Sequence, residues 1–360
     1  GISGSITTTA GDATVVALDG PISGPVNAGD SLLAFAMTNI SGGLSAASNA
    51  EVMAFGNLNA MVVAGGDVSI TLGGSTTASI SAGWDANVSA FGRVNSPVAA
   101  GQDANVVAFG PIAGSITATR DANVFTAAAM SGNILARNDA NLFTGGGSNN
   151  VVNAGRAASV TSLSNATGLV SGTRDASVIA FGTVAGSVTA GRNAEVASLL
   201  STNTALVTAT LGDANLFAYG LLNSMTTAGG NVSATSFGTL QGSFTGVDVS
   251  VFSVGSMPTI NVTASGNASA VSWGSVSGPA NISGDSSATL WAAGNIDGSV
   301  TSSLGSAAAI SFGNITSLAG INGATDAVAL SVGDFFGSVS AGSGLGGLIT
   351  LGSFVAGSVI

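Results

Sequence analysis

Small or apolar residues alternate with other residues along most of the chain. Over positions 104–118 the small or apolar positions of one phase are Ala104, Val106, Ala108, Gly110, Ile112, Gly114, Ile116 and Ala118. A period of two is the period of a β-strand with one buried face. The chain has no capped segment with apolar residues at i, i+3, i+4 and i+7, so it predicts almost no helix.

A second, longer period is superimposed on the first. Asp85, Asp103, Asp121 and Asp139 follow one another at a constant interval, and each lies in a segment close to D-A-N-V-x-A-F-G-x-V-x-G-S-V-T-A-G-R. Related segments precede this block at the same interval, and further related segments follow it at a less regular interval. The whole chain therefore predicts about 20 coils of about 18 residues, in a single repeat domain that covers 1–360.

One such unit holds two or three short strands and cannot enclose its own core. Stacked units solve this problem, because the strands of each coil pair in parallel with the coils before and after it. The sequence therefore predicts an all-β parallel β-solenoid. Phe-Gly and Gly-Arg-Asp-Ala segments are the expected corners, where we expect Gly to supply positive φ and Asp or Asn to accept a backbone N–H two residues on.

The repeats resemble those of β-helical proteins of the filamentous haemagglutinin and autotransporter types. The resemblance rests on the DANVxAFG segments and on GSVTAGRNA at Gly186–Ala194. It implies a right-handed parallel β-helix with a role in adhesion or surface fibres. A left-handed helix built from three hexapeptides has a coil of the same length. Val106 and Ile112 fit that spacing, but the next bulky residue is Ile116 instead of residue 118, which favours the right-handed form.

Composition excludes several function classes. The chain has no Cys, no His and no Lys, and its 6 Arg face 17 Asp and Glu, for a net charge of −11. An acidic chain of this kind is a poor partner for nucleic acid. Catalytic triads and Cys or His metal sites are excluded by composition. No apolar run reaches the length of a membrane helix. The acidic residues are spread over the coils, which indicates no enzyme and no cofactor.

The recurring Asp is the first candidate site. Successive coils would place the carboxylates one strand spacing apart, where they repel each other unless they are neutralised. One interpretation is a row of bound calcium ions, since calcium takes oxygen ligands. The alternative is a turn ladder in which each carboxylate binds backbone N–H groups. The calcium candidates are Asp85, Asp103, Asp121 and Asp139.

Aromatic and aliphatic residues form the second candidate site. One slot, immediately before the corner Gly, holds Phe109, Phe181 and Tyr219, and strict alternation would point it outwards. A bend of the chain at this slot would instead stack these rings inwards. The slot two residues earlier would face outwards too, and a contiguous exposed apolar strip marks an interface. The interface candidates are Val107, Phe109, Phe125, Phe143, Ile179, Phe181, Phe217 and Tyr219.

The chain begins and ends in the middle of a coil, with no polar capping segment. Uncapped ends predict a segment of a longer chain or the protomer of a filament. The predicted function is a structural one: an extracellular or cell-surface fibre, stalk or sheath built by end-to-end and lateral association. The alternative is the shaft of a secreted adhesin or autotransporter-like protein that presents a separate binding domain. The expected partner is the protein itself, together with other cell-surface components.

Overall fold

The structure is a computed structural model that describes residues 1–316, 319–354 and 360. The chain divides into two compact units, Gly1–Arg174 and Asp175–Ile360. Both consist of β-strands and bends, and the described part of the chain contains no helix, hence none that could span a membrane. The all-β prediction is confirmed.

Each coil of the first unit has a long strand, a single bridge residue and a short strand. In one coil these are Ala104–Ala108, Ile112 and Ile116–Ala118. The long strands of the unit are Ala13–Ala17, Leu32–Ala36, Ala50–Ala54, Val68–Leu72, Ala86–Ala90, Ala104–Ala108, Ala122–Thr126, Ala140–Thr144 and Ala157–Ser162. The short strands are Ile6–Thr7, Val26–Ala28, Leu44–Ala46, Val62–Ala64, Ile80–Ala82, Val98–Ala100, Ile116–Ala118, Ile134–Ala136, Val151–Ala154 and Leu169–Gly172.

The second unit follows the same plan, but the strands that correspond to the short strands of the first unit are longer. Its long-strand face consists of Asp175–Ala180, Asn193–Ser198, Ala214–Ala218, Val232–Ser236, Val249–Ser253, Asn267–Ser272, Ser287–Ala292, Ser306–Ser311, Ala327–Ser331 and Gly346–Thr350. The other face consists of Ser187–Ala190, Thr202–Ala209, Leu222–Ala228, Leu240–Gly246, Ile260–Ala264, Val276–Gly284, Ile296–Ser302, Gly320–Gly323 and Ser338–Ala341.

The described strand pairs are parallel, and equivalent residues of the repeat lie beside each other. Val106 pairs with Val88 in the preceding coil and with Val124 in the following coil. The described residues hold nineteen long strands, against about 20 predicted coils, because several intervals of the second unit widen. The interval from Ala194 to its partner Ala214, for example, is wider than the interval from Ala176 to its partner Ala194.

The backbone hydrogen bonds define the handedness of the winding. The inward-facing Ala104 donates its N–H to Asp121 of the following coil, whereas the outward-facing Phe109 donates to Ala90 of the preceding one. Consider a strand of L-residues that runs upwards and is viewed from the side to which one side chain points. The N–H of that residue then lies on the right of the strand. The next coil thus lies to the right when the strand is seen from inside, which is a right-handed helix. Ala214 shows the same direction in the second unit.

The core of each unit is a set of ladders of small and branched side chains. Ala104, Val106, Ala108, Ile112 and Ile116 of one coil are all fully buried. Burial of each Val or Ile contributes about 1.5–3 kcal/mol. The same contribution recurs with each coil, so successive coils stabilise one another.

The corner glycines are needed for space, not for positive φ. Among the described residues, positive φ occurs at Gly11, Gly20, Gly242 and Gly278, and none of these follows a Phe. At the corner residue Gly110 a Cβ would lie 2.6 Å from the carbonyl oxygen of Gly92, one coil earlier. The expectation of positive φ at the Phe-Gly corners is therefore wrong, and close contact between coils is the reason for glycine.

Candidate functional site: an exposed apolar face and two polar ladders

Two columns of outward side chains run along the long-strand face of the first unit. The first, here the Val107 column, aligns with the fourth residue of Ala104–Ala108, and the second, the Phe109 column, follows two residues later. The Val107 column contains Val16, Phe35, Met53, Thr71, Ser89, Val107, Phe125, Phe143 and Thr161. The Phe109 column contains Leu18, Met37, Phe55, Gly73, Phe91, Phe109, Ala127, Gly145 and Leu163. The apolar surface of this unit is interrupted by Thr71, Ser89 and Thr161 in the first column and by Gly73 and Gly145 in the second.

The second unit has equivalent columns, named here the Ile179 column and the Phe181 column. The Ile179 column contains Ile179, Ala197, Phe217, Thr235, Phe252, Val271, Trp291, Ile310, Leu330 and Ile349. The Phe181 column contains Phe181, Leu199, Tyr219, Phe237, Val254, Trp273, Ala293, Phe312, Val332 and Leu351. Neither column holds a charged residue, and Thr235 is the one hydroxyl-bearing residue apart from Tyr219.

All eight interface candidates of the sequence lie on these two faces and point outwards. Tyr219 is 63% exposed, Phe109 is 56% exposed and Phe181 is 51% exposed, while Phe143 and Phe217 are half-buried. The alternative in which the ring before the corner Gly stacks inwards is therefore wrong. The chain keeps its strict alternation up to the corner, so this slot stays on the outer face.

The exposed rings contact one another from coil to coil. Phe91 and Phe109 are stacked, with ring centroids 4.9 Å apart, and Phe125 and Phe143 are stacked at 5.2 Å. In the second unit Trp291 makes edge-to-face contacts with Trp273 and Phe312 at 6.4 and 5.8 Å. Each stacked pair covers one face of each of its rings. The exposed rings thus form apolar clusters on the outer face, a kind of surface that packs against another apolar surface.

The predicted Asp column forms a ladder along one corner of the first unit. The backbone N–H of Asp103 donates to Oδ1 of Asp85 at 3.0 Å, and that of Asp121 donates to Oδ1 of Asp103 at 3.1 Å. Asp139 continues the ladder by donating to Asp121 at 3.1 Å. Each carboxylate thus binds the next coil, whereas the sequence predicted a bond within its own corner. In the described part of the chain no three acidic side chains converge closely enough to share a metal ion.

Two arginines neutralise alternate members of this ladder. Arg120 donates from Nε to Oδ1 of Asp103 at 2.8 Å and pairs with Oδ2 as well, and Arg156 binds Asp139 in the same way, with Nε at 2.9 Å. Hydrogen bonds from these guanidinium groups lower the pKa of both carboxyls, and further bonds from backbone N–H groups act in the same direction. In the second unit Arg192 pairs with Asp175 at 3.3 Å.

A second polar ladder was not predicted from the sequence. On the outer face of the first unit, Nδ2 of Asn105 donates to Oδ1 of Asn87, Asn123 donates to Asn105, and Asn141 donates to Asn123, each at 3.0 Å. The sequence feature that could have predicted this ladder is the Asn that recurs as the third residue of the D-A-N-V segments. Asn has a low strand propensity, so its recurrence at an outward strand position indicates that the side chains bind one another across coils.

The comparisons with known proteins add no relative to this description: no protein-family model, curated protein or solved structure matches the chain. The architecture itself, a tandem-repeat parallel β-solenoid in each unit, agrees with the β-helical repeats that the sequence resembles.

Proposed function

We propose that this protein is a structural β-solenoid that assembles with further copies of itself through the exposed apolar face of its long strands. The observation that carries the proposal is the continuity of the Ile179 and Phe181 columns. They place apolar side chains on successive coils from Ile179 to Leu351 without a charge between them. Exposed apolar surface of this extent is costly in water and marks an interaction site.

The size of the face suits association between copies. The ten long strands of the second unit, spaced about 4.8 Å apart, give a face about 45 Å long and, with two columns of side chains, about 12 Å wide. Burial of about 550 Å² from each copy totals about 1,100 Å², close to the lower limit of roughly 1,200 Å² for specific interfaces. A second copy is the favoured occupant because its face has the same coil spacing and the same lack of charge.

The cellular role that fits this assembly is an extracellular or cell-surface fibre, stalk or sheath. Three features support it: the resemblance to haemagglutinin-type and autotransporter-type repeats, the absence of thiols, and the charged fraction of only 6%. A scaffold in which each coil stabilises its neighbours also suits a load-bearing role. End-to-end association would extend the assembly and is part of the same proposal.

Analytical ultracentrifugation of the purified chain over a range of concentrations tests the proposal. We expect association of the wild type, and at least a tenfold weaker association for the triple variant Phe217→Ser, Tyr219→Ser and Phe237→Ser. The matched control is Thr227→Ser, Thr245→Ser and Thr263→Ser, which changes three exposed residues of the other sheet. Circular dichroism shows whether each variant is folded. A folded wild type that stays monomeric at every concentration would contradict the proposal.

A further inference from the structure

Side-chain sizes in the second unit compensate between the two apolar columns of a coil. Trp291 of the Ile179 column stands beside Ala293 of the Phe181 column, and Thr235 stands beside Phe237. Further coils combine a smaller with a larger residue: Ala197 with Leu199, Val271 with Trp273, and Ile310 with Phe312. The coils with Phe217 and Tyr219 and with Ile349 and Leu351 are exceptions, because their two residues are similar in size. Each coil with unequal residues therefore presents one raised and one lower position on its outer face.

The two edges of this face differ in charge. The edge before the strands is a corner ladder in which Asp175, Asp213 and Asp248 alternate with Asn193 and Asn231. The edge after the strands carries uncharged residues in most coils: Thr183, Ser201, Leu221, Thr239, Ser256, Ser275, Asn295 and Asn314.

One coil departs from this asymmetry. It carries Asp326 on the first edge and Asp334 on the second. Along the unit the first edge thus carries Asp175, Asp213, Asp248 and Asp326 and the second carries Asp334, so the first edge is the more acidic one.

We infer that the second units of two copies pair face to face with parallel winding axes, related by a two-fold axis that runs along the winding direction. This inference rests on the proposed self-association and specifies its geometry. A two-fold axis in this direction places the Ile179 column of one copy on the Phe181 column of the other, coil by coil. The interface is then isologous, with the same patch contributed by both copies.

The sizes of the side chains fit this arrangement at the level of the single coil. Trp291 of one copy meets Ala293 of the second copy, and Ala293 of the first meets Trp291 of the second. Phe237 and Thr235 exchange in the same manner. In these coils large side chains enter the positions that small ones leave open, which is what close packing of two apolar surfaces requires, whereas Phe217 meets Tyr219 without a small partner.

The charges fit it as well. Parallel axes place the more acidic edge of one copy opposite the less acidic edge of the other, so the rows that contain Asp175, Asp213 and Asp248 lie on opposite sides of the pair. Antiparallel axes would bring both of the more acidic edges to the same side. Like charges on one side weaken association; Arg192 pairs with Asp175, but the second unit has no further Arg or Lys to pair with Asp213 and Asp248.

A spin-label experiment tests the geometry, because the chain has no Cys and each introduced Cys carries the only label. Thr189→Cys, Thr263→Cys and Ser340→Cys lie on the sheet away from the apolar face, near one end, the middle and the other end of its ladder. Parallel pairing predicts similar distances between copies at all three positions. A short distance at residue 263 and long distances at 189 and 340 would show antiparallel pairing and overturn the inference, while the proposed self-association would stand. Absence of any dimer in ultracentrifugation would overturn both.

A size exchange gives a second test without labels. Ala293→Trp places a second large ring opposite Trp291 of the other copy, where there is no room for it, and should weaken association at least tenfold. The double variant Trp291→Ala and Ala293→Trp restores large against small in a parallel pair and should recover most of the affinity. In an antiparallel pair about the middle of the unit, Trp291 would meet Thr235 and Ala293 would meet Phe237, so the double variant would stay weak. That outcome contradicts parallel pairing.

Discussion

The carbonyl oxygen of Gly220 accepts a hydrogen bond of 2.6 Å from the hydroxyl of Ser236, which is buried one coil later. The same hydroxyl accepts the backbone N–H of Gly238 at 3.2 Å. Ser236 thereby joins the backbone of two successive corners. In a coil with Ala108 at this position, by contrast, the corner N–H of Gly110 donates directly to Gly92 of the preceding coil at 3.2 Å.

Replacement of Ser236 by Ala should destabilise the chain by about 1 kcal/mol, the net value of a buried hydrogen bond whose partners find another arrangement. Ala108 shows that the direct arrangement exists, which keeps the cost modest. Ser236→Thr is the matched control and should be nearly neutral, since Thr126 makes the equivalent bonds in the first unit. The measurement is the urea midpoint of each variant. An unchanged midpoint in Ser236→Ala would show that the hydroxyl contributes nothing.

Where successive coils are in close contact, a glycine should not tolerate a side chain even though its φ is not positive. A Cβ at Gly114 would lie 1.8 Å from the carbonyl oxygen of Ser96 and 2.4 Å from its carbonyl carbon. Backbone atoms of the preceding coil must then move, and we expect Gly114→Ala to lose about 1–3 kcal/mol, as overpacked cores do.

Gly43→Ala is the control for this substitution. A Cβ at Gly43 meets nothing within 4 Å, and its φ is not positive. Its replacement should leave the chain as stable as before or stabilise it by about 0.4–1 kcal/mol through the unfolded state. Equal urea midpoints for the two variants would contradict the close approach of coils at Gly114.

The fold was predictable because two periods of the sequence each have a single structural meaning. Alternation places Val106 inwards and Val107 outwards, and the longer period brings Asp103 beside Asp85. The buried hydroxyls were not predictable in this way. Alternation counts Ser236 as a polar residue at an inward position, and only the geometry of the corner shows which backbone groups need its hydrogen bonds.

The candidate site was predictable in position more than in chemistry. Outward orientation of Phe109 followed from alternation, but whether the chain would bend before Gly110 depended on contacts between coils. The mutual hydrogen bonds of Asn87 and Asn105 depend on the close alignment of successive coils. The repeat period of the sequence alone determines neither the path of the chain before Gly110 nor how closely successive coils align.

Asp121 should act in its ladder through its acceptor oxygen and not through its charge. Its Oδ1 accepts the backbone N–H of Asp139, and Asn fills the equivalent position at Asn49, where Oδ1 accepts the N–H of Asp67 at 2.8 Å. Asp121→Asn keeps the acceptor and removes one of several repelling charges, so we expect an equal or higher urea midpoint. Asp121→Ala leaves a partly buried N–H without its acceptor and should cost about 1 kcal/mol or more.

Calcium distinguishes the two interpretations of the same column. A turn ladder predicts that the urea midpoint of the wild type is equal in calcium and in a chelator. A calcium row predicts a higher midpoint in calcium, and loss of that increase in Asp121→Asn, because the variant removes a charged ligand.

Acid should remove the contribution of the Asp103–Arg120 and Asp139–Arg156 pairs. The guanidinium groups hold the pKa of both carboxyls below the value of about 3.9 that an Asp has in an unfolded chain. A group with a lowered folded pKa stabilises the folded state at pH values above its unfolded pKa, and this contribution disappears as the pH falls through the folded pKa. The double variant Arg120→Gln and Arg156→Gln should therefore be less stable than the wild type at pH 7, and the difference should shrink as the pH falls below about 4.

Both arginines are about half exposed, so added salt should shrink the difference in stability at pH 7 as well. Arg93→Gln, at another corner, is the control for the loss of a positive charge. A difference in urea midpoint that stays constant from pH 7 to pH 3 would show that the arginines act by packing and not by their charge.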